Sequence, residues 1–114
     1  MLKTGEEHLE SLRDGRVVYI GRERVDDVTT HPAFAAAART VAAIYDMKRA
    51  PENLAITSYE EDGERYSSYY LRPRSQAELE QRTRTHKLIA DMTYGLFGRP
   101  PDHAAGLITR LAVK

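Results

Sequence analysis

The sequence contains no cysteine among its 114 residues. The chain therefore forms no disulfide, offers no thiolate nucleophile and supplies no thiolate ligand to zinc or to an iron–sulfur cluster. It also lacks an apolar run long enough to span a bilayer and an apolar N-terminal segment of the kind that directs secretion. We expect a cytoplasmic protein that does not enter a membrane.

Net charge is likewise absent, because 17 basic residues balance 17 acidic ones. No overall field would steer the chain to nucleic acid, so a nucleic-acid partner is not expected. The sequence has no glycine-rich phosphate loop, no Gly-x-Ser-x-Gly elbow, no His-Glu-x-x-His pair and no internal repeat. Its length predicts a single domain over residues 1–114, and we predict no metal site.

Four helical patterns are present. Thr-Gly-Glu-Glu at residues 4–7 has the form of a capping box and predicts a helix to about residue 14. A second capping box, Ser-Gln-Ala-Glu at residues 75–78, begins the longest pattern, which we extend to residue 97. An alanine-rich helix is predicted from residue 33 to Pro51, and a last helix over residues 102–111.

Two hairpins are also predicted. One joins residues 17–20 to residues 24–25, and the other joins residues 54–60 to residues 65–71 through an Asp-Gly turn. Four of the seven tyrosines lie in the second hairpin, either to stack on a flat ligand or, as we favour, because tyrosine is common in strands. The predicted fold class is α+β, mainly α, with about four helices and one or two small β-hairpins.

The corner between the last two helices is the best candidate for a site. Residues 94–103 read Tyr-Gly-Leu-Phe-Gly-Arg-Pro-Pro-Asp-His and leave Arg99 and His103 between two helix ends. From spacing alone, the alternative is an Arg99 that pairs with Asp102 and a His103 that is simply solvated. His86, inside the longest helix, is expected to be partly buried rather than a metal ligand.

Several stretches together resemble one family in order and spacing. They are residues 4–12, residues 25–34 with Val-Asp-Asp-Val-Thr-Thr-His-Pro, the Tyr-Asp pair at 45–46, and residues 87–102 ending in Gly-Arg-Pro-Pro-Asp. The chain is similar in these blocks to the N-terminal region of the flavin-dependent aromatic hydroxylases typified by 4-hydroxyphenylacetate 3-monooxygenase, large oxygenase component. The resemblance covers essentially the whole chain.

The resemblance implies a longer parent protein with an acyl-CoA dehydrogenase-like outline, whose central β-barrel and C-terminal bundle, which assembles tetramers, are absent here. It implies an oxygenase that receives reduced FAD from a separate NAD(P)H-dependent reductase and hydroxylates a phenol, such as 4-hydroxyphenylacetate or a tyrosine derivative, beside its existing hydroxyl. By the same resemblance, Arg99 faces the phenol and favours the phenolate. His103 stands where the family members compared have tyrosine, so the identity of the substrate stays open.

Two functional hypotheses follow. In the first, the chain is part of such a monooxygenase and is inactive alone, because one wall of a pocket cannot exclude water around a reactive flavin. In the second, it is a small non-catalytic binding or assembly module that docks on a partner through its last helix. Leu107, Ile108 and Leu111 would form the apolar face of that helix.

Overall fold

The computed structural model describes residues 2–97 and 100–112, apart from the side chains of residues 100–102. Within these residues the chain is mainly helical, with five α-helices and two small antiparallel sheets, which confirms the predicted class and adds one helix to the expected four. No helix of this part of the chain is long and apolar enough to cross a membrane.

The chain divides into two compact units, residues 3–47 and residue 2 with residues 48–112. The single domain over residues 1–114 stays a prediction. The first unit contains α1 (Gly5–Ser11), β1 (Val18–Ile20), β2 (Glu23–Val25) and most of α2 (Ala35–Arg49). Strands β1 and β2 pair in antiparallel register, as the sequence predicts.

Helix α1 begins at the predicted capping box. The Thr4 hydroxyl accepts the Glu7 N–H at 3.0 Å, and the Glu7 carboxylate accepts the Thr4 N–H at 2.8 Å. The helix is shorter than predicted, because it ends at Ser11 with Leu12 as its C-cap instead of continuing to about residue 14. Helix α2 likewise begins at Ala35 rather than at residue 33, after a turn.

Helices α1 and α2 approach closely at Gly5. The Asp46 carboxylate accepts the Gly5 N–H at 2.7 Å, which satisfies one of the free donors of the α1 N-terminus. A Cβ atom at Gly5 would lie 2.5 Å from the Ala42 carbonyl oxygen, so only glycine allows this contact. His8 stacks on Tyr45 with ring centroids 4.6 Å apart. The Tyr-Asp block therefore anchors α1.

The second unit contains α3 (Leu54–Thr57), β3 (Ser58–Glu61), β4 (Glu64–Ser67), a 3₁₀ turn (Ser68–Tyr70), α4 (Gln76–Met92) and α5 (Pro100–Ala112). The Asp-Gly hairpin turn is confirmed, with positive φ at both Asp62 and Gly63. The predicted extents of its strands, residues 54–60 and 65–71, are wrong, since residues 54–57 are helical and residues 68–70 form the 3₁₀ turn.

A buried polar cluster explains these departures from extended structure. Ser68 and Thr85 are fully buried, and their hydroxyl oxygens lie 2.7 Å apart. Both contact the Ile56 carbonyl oxygen, at 2.6 and 2.9 Å, and the Gln81 side-chain amide donates to the same oxygen at 3.1 Å. This cluster joins α3, the 3₁₀ turn and α4 through a single carbonyl.

Helix α4 begins where its capping box predicts, although only half of the box forms. The Ser75 hydroxyl accepts the Glu78 N–H at 3.2 Å, whereas the Glu78 carboxylate accepts the N–H of Arg74 rather than that of Ser75. The predicted end at residue 97 is wrong, because the helix stops at Met92.

Candidate functional site

The corner between α4 and α5 begins with a tight helix end. The Gly95 N–H donates to the Ala90 carbonyl at 2.8 Å and the Tyr94 N–H to the Asp91 carbonyl at 3.4 Å, the bonding pattern of a Schellman motif. Tyr94 has φ +55° and Gly95 has φ +72°, so the chain turns out of the helix directly after Thr93, before the predicted end at residue 97. Glycine usually occupies the position that Tyr94 takes here.

Of the two predicted site residues, the structure describes His103 and not Arg99. Arg99 lies outside the described residues, and so do the side chain of Asp102 and the alternative pairing of the two. Helix α5 begins at Pro100 instead of residue 102, which places His103 in its first turn. The His103 side chain is exposed. The structure therefore places one of the two predicted side chains, at a helix N-terminus.

Helix α5 is held against the second unit by one narrow face. Ala105 is 1% exposed, and the Thr109 hydroxyl lies 2.7 Å from the Ala105 carbonyl oxygen and 3.4 Å from that of Tyr70. A Cβ atom at Gly106 would come 3.5 Å from the guanidinium of Arg82, an ordinary contact. These small residues bring α5 close to the 3₁₀ turn and so fix the helix that carries His103.

Aromatic rings in the second unit form two groups of ring contacts, one in the hairpin and one around Tyr69, which also contacts Tyr70. Tyr59 and Tyr66 face each other across β3 and β4 with centroids 5.8 Å apart, as expected of strand residues. Tyr69 is buried, and the centroids of its ring and the His86 ring lie 4.8 Å apart. The Lys48 Nζ atom lies over the Tyr69 ring, 4.6 Å from its centroid, in a cation–π contact.

The Lys48 ammonium is mostly removed from water in this arrangement. Its burial lowers the pKa of Lys48 to about 8, because a charged amine is disfavoured in a less polar environment. His86 is partly buried, as predicted. Within the described part of the chain, no three histidine, aspartate or glutamate residues are placed to hold a metal ion.

A groove of about 460 Å³ runs beside the C-terminal half of α5. Tyr59, Tyr70 and Ile108 contribute to its walls, and His103 does not line it. Its charged residues are three acids and two bases: Glu60, Glu61, Glu78, Arg72 and Arg74. The volume suits a small molecule or a partner side chain.

This groove does not fit a flavin dinucleotide. The diphosphate of FAD needs a surplus of donors and positive charge, whereas carboxylates outnumber guanidinium groups in the lining. This groove is therefore not a flavin pocket, and no step of flavin chemistry follows from its lining. Sequence reasoning missed this groove because its walls come from four separate elements.

The Thr-Thr-His-Pro block forms the turn that leads into α2. The Asp27 carboxylate accepts the Thr29 hydroxyl and N–H at 2.6 and 2.7 Å, and these bonds lower the pKa of Asp27. His31 Nδ1 accepts the Ala33 N–H, so Nε2, 3.1 Å from the Glu23 carboxylate, carries the proton that it donates. His31 thus bonds the backbone of the turn through Nδ1 and the Glu23 side chain of β2 through Nε2.

Comparison with known proteins matches nearly the whole chain to one family of oxygenases. The family model described as 4-hydroxyphenylacetate 3-hydroxylase N terminal matches residues 4–114. The 4-hydroxyphenylacetate 3-monooxygenase oxygenase component of Thermus thermophilus is 38% identical over 114 residues, covering 98% of this chain and 24% of that protein. The 4-nitrophenol 2-monooxygenase oxygenase component of a Rhodococcus species is 42% identical over 111 residues, covering 95% and 21%.

Solved structures agree. HpaB, the oxygenase component of 4-hydroxyphenylacetate 3-monooxygenase, complexed with FAD and 4-hydroxyphenylacetate, superimposes with a TM-score of 0.87 at 35% identity. The match covers 94% of this chain and 23% of that one. The chain thus spans about a quarter of the length of the relatives that it matches.

Proposed function

The chain belongs to the 4-hydroxyphenylacetate 3-hydroxylase N-terminal family, and on that premise we propose that it is the N-terminal part of a two-component monooxygenase. This enzyme uses reduced FAD to hydroxylate a phenol ortho to its hydroxyl group. The observation that carries the proposal is the match over residues 4–114 together with the superposition on a complex of FAD and 4-hydroxyphenylacetate. Relatives named for 4-hydroxyphenylacetate and 4-nitrophenol support a phenolic substrate.

Arg99 and His103 are the residues that we assign to the phenol. A fixed guanidinium at Arg99 would favour the phenolate, in which the ring carbon next to the oxygen is more nucleophilic. His103, exposed in the first turn of α5, can hydrogen-bond the phenol oxygen or exchange its proton near neutral pH. Because the resemblance places tyrosine at this position, His103 is the residue that would change substrate preference.

The isolated chain would be inactive. The groove beside α5 does not fit a flavin, so the FAD that supplies the oxygen chemistry would bind mainly to the remaining polypeptide. We assign that polypeptide the acyl-CoA dehydrogenase-like barrel and bundle of the family outline. We also propose that the full-length oxygenase assembles into a homo-oligomer and lies in the cytoplasm. Its reduced FAD comes from a separate NAD(P)H-dependent flavin reductase. A name of one relative, the FADH(2)-dependent monooxygenase TftD of Burkholderia cepacia, supports use of the reduced flavin.

A chimera tests this function directly. The chain is joined to the C-terminal three quarters of the Thermus thermophilus relative and supplied with reduced FAD, oxygen and 4-hydroxyphenylacetate. We expect the chimera to form the catechol and the isolated chain to form none. Catechol from the isolated chain would overturn its inactivity, and a folded chimera without turnover would overturn the assignment.

Substitutions in the chimera test the two residues. Arg99→Ala should lower kcat/KM by about 10²- to 10³-fold, the usual effect of removing one preorganised charge-stabilising group. Arg84→Ala, which removes an exposed arginine of α4, is the matched control and should change little. His103→Tyr should raise kcat/KM for 4-hydroxyphenylacetate, and an unchanged preference among phenols would contradict the role of His103.

The second candidate function is a non-catalytic binding or assembly module that docks through its last helix. The exposed Leu107, Ile108 and Leu111 of α5 favour it. Mass in solution and FAD titration test both candidates, because a stable monomer that binds neither flavin nor the C-terminal portion of a relative would contradict both.

A further inference from the structure

Helix α5 packs on one side only. Ala105 and Thr109 point inward, and the residues on the other side carry large apolar side chains. Leu107 and Leu111 lie one turn apart and are 53% and 75% exposed, and Ile108 between them is 53% exposed. At 100° per residue these three form one continuous outward face. We name it the α5 outer face.

The α5 outer face continues into the groove beside the helix, because Ile108 also lines the groove. Charged residues surround that apolar wall, among them Arg72, Glu60 and Glu61. An apolar centre with a charged rim is the usual anatomy of a protein interface.

A second apolar element stands on the other side of the corner in sequence. Tyr94 is 91% exposed and Leu96 is 87% exposed, both in the turn that follows α4. Tyr94 occupies a left-handed backbone conformation (φ +55°) that glycine adopts more readily. Since nothing within the described residues covers this ring, folding of the chain does not account for tyrosine at that position.

We propose that the α5 outer face, with Tyr94 and Leu96, is the docking surface for the polypeptide that forms the other three quarters of a full-length oxygenase. This inference rests on the proposed function, because the occupant is identified from relatives four times as long as the chain. Five large apolar side chains, which precede Arg99 or follow His103 in the sequence, would then be covered together. Docking would close the corner to water, which the proposed chemistry requires.

Thiol labelling tests the docking surface, because the chain has no cysteine of its own. Leu111→Cys and Leu107→Cys are introduced separately into the isolated chain and into the chimera, and labelling by a maleimide is followed by peptide mass spectrometry. Leu79→Cys is the control, since Leu79 lies on α4 with the same 53% exposure as Leu107. We expect labelling at least 10-fold slower in the chimera at residues 107 and 111, and a change of less than about 2-fold at residue 79.

Each other result overturns the inference. Equal labelling in chain and chimera would show that the α5 outer face stays open, and equal slowing at residue 79 would show general protection. Labelling of the isolated chain that slows with protein concentration would identify a second copy as the occupant. These outcomes are separate from turnover: protection in an inactive chimera supports docking while the proposed function fails.

Two further variants test the same surface through stability. Leu107→Glu with Leu111→Glu should leave its unfolding midpoint unchanged, whereas a loss of stability would show that the face packs within the chain. Tyr94→Gly should raise the unfolding midpoint of the isolated chain and, in the chimera, speed labelling at residue 111. A lowered midpoint would show that Tyr94 serves folding rather than docking.

Discussion

Replacing Thr85 by valine would remove a hydroxyl group from the centre of the second unit while keeping a β-branched side chain. Thr85 is fully buried, with its oxygen 2.9 Å from the Ile56 carbonyl oxygen and 2.7 Å from the Ser68 hydroxyl. Its oxygen also lies 3.1 Å from the Gln81 carbonyl oxygen of the preceding turn. The single hydroxyl proton can serve only one of these acceptors at a time.

The expected loss is therefore about one hydrogen bond. The Ile56 carbonyl keeps the Ser68 hydroxyl at 2.6 Å and the Gln81 amide at 3.1 Å, so valine leaves no buried acceptor without a partner. A net hydrogen bond contributes about 1 kcal/mol, and the added methyl group regains part of it by burial. We expect the Thr85→Val substitution to lower the free energy of unfolding by about 0.5–1.5 kcal/mol.

Urea denaturation measures this change. With a slope of about 1–3 kcal/mol per molar urea, 1 kcal/mol moves the midpoint by roughly 0.3–1 M. Thr83→Val is the matched control, because Thr83 is exposed on the same helix and its hydroxyl bonds the Leu79 carbonyl of its own helix. Equal midpoints for the two variants would refute the view that the buried polar cluster holds α3, the 3₁₀ turn and α4 together.

The remaining predictions concern glycine positions and pH. Gly5→Ala should lower the free energy of unfolding by about 2–3 kcal/mol, because the new Cβ would lie 2.5 Å from the Ala42 carbonyl oxygen. Gly106→Ala is its control and should stabilise by about 0.5–1 kcal/mol, since alanine favours a helix interior. Thermal unfolding distinguishes them, and a stable Gly5→Ala variant would contradict the close approach of α1 and α2. The folded pKa of Lys48, about 8, lies below its unfolded value, so the unfolded state binds more protons above pH 8. Stability should rise between pH 8 and pH 10 by on the order of 1–2 kcal/mol, since one pKa unit is about 1.4 kcal/mol and the Tyr69 contact offsets part of the burial cost. Lys48→Met should remove this slope in urea titrations, and an unchanged slope would contradict the assignment.

Features that depend on neighbouring residues were predictable. The Thr4 capping box, the start of α4 and both hairpin turns form where the sequence places them. Caps and tight turns satisfy backbone groups within four residues, so their sequence patterns are nearly sufficient. The family blocks were equally visible, and in the structure the Thr-Thr-His-Pro block forms a turn held by its own histidine.

Features that depend on distant residues were not predictable. Residues 54–57 have the composition of a strand and form a helix, because the Thr57 hydroxyl bonds the Lys48 carbonyl and the Ile56 carbonyl meets the polar cluster. The end of α4 was misplaced because Tyr94 takes a conformation that favours glycine. The groove was not predicted because its walls come from separate elements, and no single stretch of sequence contains it.

The corner itself shows both kinds of determination. The sequence alone determined that Arg99 and His103 follow one helix and precede or begin another, because glycine and proline act on the adjacent backbone. Only the tertiary structure decided that α5 is held through Ala105 and leaves Leu107 and Leu111 exposed. Which side of an amphipathic helix is covered depends on partners that are distant in sequence. Here the partner is the 3₁₀ turn, whose last residue, Tyr70, lies 39 residues before Thr109.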